Sequence, residues 1–156
     1  MALSVGTKAP DFKLFNSEKK EVALSDFKGK NLVIQFFPAA FTGVCTAQLC
    51  TSRDELSLFN GMNASVVGVS VDMPFSLGEF KAKNGINFDL LSDFNKDFIK
   101  SYDMVLENFA LGMKGVSKRG VVVIDKDGVV QYVEVTPSPG DQVNFDALKA
   151  ALAKLN

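Results

Sequence analysis

A chain of 156 residues with 47% hydrophobic and 22% charged residues has the make-up expected of one globular domain, residues 1–156, with a core of its own. Its net charge of −1 gives no general pull toward nucleic acid or anionic membranes, and no apolar run approaches the roughly 20 residues that span a bilayer. Having no histidine and two cysteines, it excludes Ser-His-Asp and Cys-His triads, proximal-His haem and four-thiolate zinc or iron–sulfur sets, so no metal and no cofactor is expected.

The first residues carry no basic segment followed by an apolar core, and two cysteines make no disulfide framework, so a cytoplasmic location is expected. Residues 1–10 read as an extended lead-in, and residues 11–23 as a hairpin around the polar turn at residues 16–20. Asp26, Lys28 and Lys30 read as solvated surface on a helical turn or loop. Residues 32–37 form an apolar run that predicts a buried strand, which Pro38 ends because it has a fixed φ and no N–H to give to a ladder.

After the loop at residues 38–42, Thr42 is a candidate N-cap for a helix that runs to about residue 60, with Leu49, Leu56 and Phe59 inward and Gly61 as its stop. Residues 64–71 predict a valine-rich strand covered on both faces, residues 74–83 a helix, residues 88–91 a short strand and residues 96–102 a short helix. Asp93 and Asp97 have no further metal ligand close by in sequence and read as a helix cap and surface. Residues 104–118 lack a clean period and read as an irregular loop whose apolar residues cover the site, a subunit interface or simply core. Residues 120–124 and 129–135 are strands joined by a turn with Gly128 at the position needing positive φ, and residues 144–155 form an amphipathic helix with Phe145, Leu148, Leu152 and Leu155 on one stripe. The order predicts an α/β fold, a central mixed sheet flanked by helices, with an N-terminal hairpin.

Cys45 falls in the first turn of its helix, where unpaired N–H groups and the positive end of the helix dipole favour a thiolate over a thiol. A thiolate is a nucleophile, and the carboxyl end of a strand in an α/β fold is where sites are built. Without a histidine, its activation falls to the dipole, hydrogen bonds and an arginine or lysine. Gln48 and Arg53 follow on roughly the same face: Gln48 as an orienting group or a solvated side chain, Arg53 as a carboxylate partner.

Pro38, Thr42 and Cys45 stand in a Pro-x-x-x-Thr-x-x-Cys pattern that resembles the signature of the peroxiredoxins, thiol peroxidases on a thioredoxin-like fold. The likeness extends from the opening at residues 5–12 to Arg119 and the apolar strand behind it. The wording of residues 41–45 is most similar to the alkyl hydroperoxide reductase E branch, and a second cysteine five residues on is similar to the peroxiredoxin Q, or bacterioferritin comigratory protein, branch.

The resemblance implies that Cys45 attacks the peroxide, that Arg119 holds thiolate and peroxide, that Thr42 and the N–H groups of Val44 and Cys45 bind the peroxide oxygens, and that Pro38 shields the sulfur. It also implies a thioredoxin- or glutaredoxin-type reductant and a homodimer. Phe37, Phe41 and Phe109 are candidates for admitting organic hydroperoxides. Cys50 is either the resolving thiol or a core thiol. Five residues apart on a helix, the two Cα atoms are about 8.5 Å apart, beyond the roughly 7 Å that a disulfide spans, so a bridge requires the helix start to unwind. The rival readings are a thiol–disulfide oxidoreductase, for which a Cys-x-x-Cys spacing is missing, and a redox sensor that reacts once without turnover.

Overall fold

The computed structural model describes residues 3–155. The predicted hairpin is present as β1 (Lys13–Asn16) and β2 (Glu21–Ala23), paired antiparallel across a turn in which the Asn16 carboxamide accepts from the N–H groups of Glu18 and Lys20. Strand β3 (Asn31–Phe36) is buried at all six positions. Its alternation sends Leu32, Ile34 and Phe36 to one apolar layer and Val33 to the other, with Phe37 just beyond the strand end joining Val33.

Helix α1 (Gly43–Asp54) and helix α2 (Leu56–Gly61) replace the single helix expected there. The break is at Glu55, whose backbone leaves the helical region and whose carboxylate is held by Lys149 at 2.6 Å. Strand β4 (Ala64–Ser70), helix α3 (Pro74–Asn84), strand β5 (Asp89–Ser92) and helix α4 (Asp97–Ser101) follow within a residue or two of expectation. Asp93 does cap α4, accepting from the N–H groups of Phe98 and Ile99, but it is buried where a surface position was expected. Among the described residues no group of three or more potential metal-ligating side chains is found.

Residues 104–118 are less irregular than the sequence suggests. They form a small separate hairpin, β6 (Val105–Leu106) with β7 (Val116–Ser117). Met104 belongs to the core, whereas Leu111, 95% exposed, covers nothing within the chain. The chain closes with β8 (Gly120–Ile124), a turn with Gly128 at φ 83°, β9 (Val130–Val135) and helix α5 (Phe145–Ala153), whose N-cap Asn144 accepts from the Ala147 N–H.

The main sheet has seven strands in the order β2-β1-β5-β4-β3-β8-β9, with β3, β4 and β5 parallel and the remaining pairings antiparallel. One face packs against α1, α2, α3 and α5 through Leu49, Phe59, Leu77, Phe80, Leu148 and Leu152; the other packs against α4 through Phe98 and Ile99. Burying one such phenylalanine contributes roughly 1.5–3 kcal/mol, so the two layers fix where β3 ends and α1 begins.

Candidate active site

β3 ends at Phe36, and buried Pro38 starts the loop that carries the chain into α1. Asp72 fastens this loop, accepting from the Ala40 N–H at 2.8 Å and from the Ser70 hydroxyl at 2.7 Å. Phe41 takes the turn with a φ of 69°, a left-handed conformation that non-glycine residues rarely adopt, and lays its ring edge-on against Phe80. Thr42 occupies the N-cap position, but its hydroxyl donates to the Ala39 carbonyl at 2.8 Å and does not cap the helix. The first helical bond runs from the Thr46 N–H to the Thr42 carbonyl. The N–H groups of Val44 and Cys45 precede it, at the positive end of the helix dipole.

Strand register supplies the other half of the site. Because β8 runs antiparallel to β3 with Gly120 opposite Phe36, the residue ahead of β8 is delivered to the end at which the cysteine loop departs. That residue is Arg119. Its Nη2 donates to Cys45 Sγ at 3.2 Å. Arg119 is 3% exposed and the cysteine fully buried, in an apolar cluster with Val33, Phe37, Leu49 and Val121. Nε and Nη2 also donate to the Pro139 carbonyl at 3.0 and 2.8 Å, and Nη1 donates to Gln48 Oε1 at 2.9 Å. Gln48 Nε2 in turn donates to Gln35 Oε1 at 2.7 Å.

The structure thus brings Arg119 to Cys45 in the first turn of α1, with Val44 just before the cysteine, buried Pro38 in the loop that leads in, and Thr42 at the N-cap with its hydroxyl turned back into that loop. Gln48 is buried, which removes the solvated alternative. Arg53 pairs with Asp54. That hydrogen bond is the main reason its guanidinium is held more firmly protonated than usual; burial opposes it, and Cys50, one turn before, adds to it. Cys50 itself is half-buried, and both thiols are free. Phe37 is sealed in the core, Phe41 lies exposed and Phe109 is half-buried, so of the three phenylalanines expected to admit organic peroxides Phe41 and Phe109 reach solvent. Two surface grooves of about 650 and 700 Å³ lie elsewhere, and neither is lined by the cysteine loop.

Sequence reasoning missed Gln35 and Pro139. Gln35 had a signal, a lone carboxamide inside an otherwise apolar strand. Pro139 contributes a backbone carbonyl, which no side chain announces.

Residues 5–133 match the AhpC/TSA family. The chain belongs to that family. It is 38% identical over 141 residues to a mitochondrial thioredoxin-dependent peroxide reductase of Rattus norvegicus, with 84% of this chain and 53% of that protein covered; the chain thus spans about half of that relative's length. A thiol peroxidase of Corynebacterium glutamicum is 35% identical over 149 residues, covering 95% of this chain and 88% of that one. Among solved structures, peroxidoxin BcpB of Mycobacterium tuberculosis superposes with a TM-score of 0.87 at 28% identity over 99% of both chains. The seven-stranded sheet is that of the family's thioredoxin-like fold.

Proposed function

We propose that this chain is a thiol-dependent peroxidase in which the Cys45 thiolate reduces hydrogen peroxide and organic hydroperoxides. The observation that carries the reading is the 3.2 Å contact between the Arg119 guanidinium and Cys45 Sγ at the start of α1. A guanidinium is charged at physiological pH and holds a thiolate against it. The thiolate attacks one peroxide oxygen, an S–O bond forms as the O–O bond breaks, and the second oxygen leaves as water or an alcohol after taking a proton. Arg119 and the N–H groups of Val44 and Cys45 stabilise the charge on the departing oxygen, and Thr42 joins them once its hydroxyl leaves the Ala39 carbonyl. Pro38 keeps bulk water from the sulfur.

The product is a Cys45 sulfenic acid. Cys50 attacks it after the first turns of α1 unwind, releasing water and forming a Cys45–Cys50 disulfide, which a thioredoxin- or glutaredoxin-type dithiol reduces. Free thiols suit a reducing compartment such as the cytoplasm. Among the described residues no helix is long and apolar enough to cross a membrane. As a homodimer the protein would cover exposed apolar side chains such as Phe75, Phe94 and Leu111.

Repeated consumption of peroxide with dithiothreitol or thioredoxin tests the enzyme against a sensor, which reacts once and stops. The mass of the peroxide-treated chain tests Cys50: loss of two hydrogens is the expected result, and a persisting sulfenic acid or a linked dimer excludes the internal bridge.

A further inference from the structure

Lys28 and Lys30, exposed as the sequence predicts, line a groove that the chemistry of Cys45 does not use. The groove, about 700 Å³, lies at the start of β3, between the single helical turn at Leu24–Phe27, the lead-in at Lys8 and Ala9, and the turn that joins β8 to β9. Its floor is apolar. Leu32 and Ile124 are buried register partners on neighbouring strands, and half-buried Leu24 and Phe27 pack into the same layer. Leu32 stands four residues before Phe36, so this floor is about 13 Å along the sheet from the end at which Arg119 meets Cys45. A cavity of this size, apolar within and polar at its edge, is of the kind that holds small ligands.

The edge is rich in cations. Lys8, Lys28, Lys30 and Lys126 line it, and among the described residues none of the four forms a salt bridge. Three of them are gathered by one backbone contact: Lys28 and Lys30 flank Gly29, whose N–H donates to the Lys126 carbonyl at 3.3 Å, with Gly29 at a φ of 83° that suits glycine. The carboxylates of the same groove are Asp11, Asp125 and Asp127. That of Asp125 is taken up by its own turn, accepting from the N–H groups of Asp127 and Val129 and from Gln131 Nε2. Asp26, close to the lysines in sequence, accepts from the Ala23 N–H instead. Four ammonium groups are thus set against two remaining carboxylates, and gathered like charges favour an anion that enters among them.

We infer that this groove binds a soluble single-chain anionic amphiphile, with its carboxylate or sulfate among the lysines and its hydrocarbon chain over Leu24, Phe27, Leu32 and Ile124. Inorganic phosphate would meet the charge and leave the apolar floor wet; an uncharged chain would do the reverse. The inference does not rest on the peroxidase reading.

Calorimetric titration of the reduced chain with octanoate, decanoate and dodecanoate, each below its micelle-forming concentration, tests it. Saturable one-to-one binding is expected, tightening about three- to fourfold per added methylene and weakening about tenfold when Lys28→Ala, Lys30→Ala and Lys126→Ala are combined. Backbone amide shifts in nuclear magnetic resonance should centre on residues 24–32 and 124–128. Dodecyltrimethylammonium, with the same chain and the opposite charge, should not saturate the groove, and neither should inorganic phosphate. Failure of dodecanoate to saturate, equal binding of the cationic amphiphile, or an affinity unchanged by the triple substitution overturns the inference. Shifts confined to the cysteine loop at residues 38–45 overturn it too, because the amphiphile then sits beside Cys45. Retention on anionic phospholipid vesicles without binding of free dodecanoate would assign the lysines to a membrane surface and overturn it likewise.

Discussion

Replacing Arg119 by methionine, in a Cys50→Ser background, removes four hydrogen bonds at once: two to the Pro139 carbonyl, one to Gln48 and one to Cys45 Sγ. The bond to the sulfur matters most. A hydrogen bond to a charged group is worth roughly 1.5–3 kcal/mol net, which at fixed pH shrinks the thiolate population about 10- to 100-fold. Loss of a donor to the departing oxygen costs a further factor of about 10²–10³ in the chemical step. Stopped-flow measurement of Cys45 oxidation by hydrogen peroxide separates the two factors. At neutral pH both apply; at alkaline pH, where the thiol ionises without help, the second alone remains. Stability should move less than rate, because relief of a buried cation offsets the unpaired Gln48 and Pro139 oxygens. A variant that oxidises at the parent's rate at neutral pH would refute the role given to Arg119.

Three further substitutions probe what holds the site in place. Gly120→Ala sets a Cβ 2.4 Å from the Glu134 carbonyl oxygen, a backbone atom that cannot swing aside, so the strand behind Arg119 should lose about 1–3 kcal/mol in thermal or urea unfolding; an unchanged melting temperature contradicts the packing. Asp72→Ala releases the Ala40 N–H, and should slow peroxide reduction about tenfold while the melting temperature changes little; wild-type turnover would show that the loop needs no such fastening. Asp93 gives a pH signature. Burial holds its carboxyl above the ordinary value of 3.8, outweighing the hydrogen bonds from the Ile99 and Phe98 N–H groups that pull it down. A carboxyl that binds its proton more tightly when folded favours the fold most below 3.8, and that contribution is lost as pH rises through the folded value. Urea midpoints of the parent should therefore fall relative to Asp93→Asn as the pH is raised from about 4 toward neutrality; a difference that stays flat with pH is the opposing result.

Much of the fold was legible because the sequence marks its own boundaries. Pro38 stops a six-residue, largely apolar strand, Gly61 ends one helix, Gly85 follows another, and Asn144 caps the last one. Cys45 was legible for the same reason, since a strand, a proline and a helix start in succession place a thiol on a dipole. Less visible were features made by contacts between distant segments. The Glu55 break coincides with an ion pair to a residue 94 positions away, and the depth of Asp93 comes from packing that a two-carboxylate pattern does not report.

The meeting of Arg119 with Cys45 belongs to both classes. The motif announces each residue, but only strand register brings them together, across 74 positions of sequence. The segment behind Arg119 is a glycine followed by three valines and an isoleucine, and such a run sits against Leu32 to Phe36 almost equally well in neighbouring registers. A slip of one residue would exchange the faces of the strand. A slip of two would preserve them, yet carry Arg119 about 7 Å along the sheet, beyond any hydrogen bond to the sulfur. Two contacts beside the valines mark the observed placement: Gly120 lets the Glu134 carbonyl of β9 approach where any side chain would collide, and the Pro139 carbonyl receives the guanidinium two ways. Both contacts depend on a missing Cβ or a backbone oxygen, neither of which hydrophobic patterning can express.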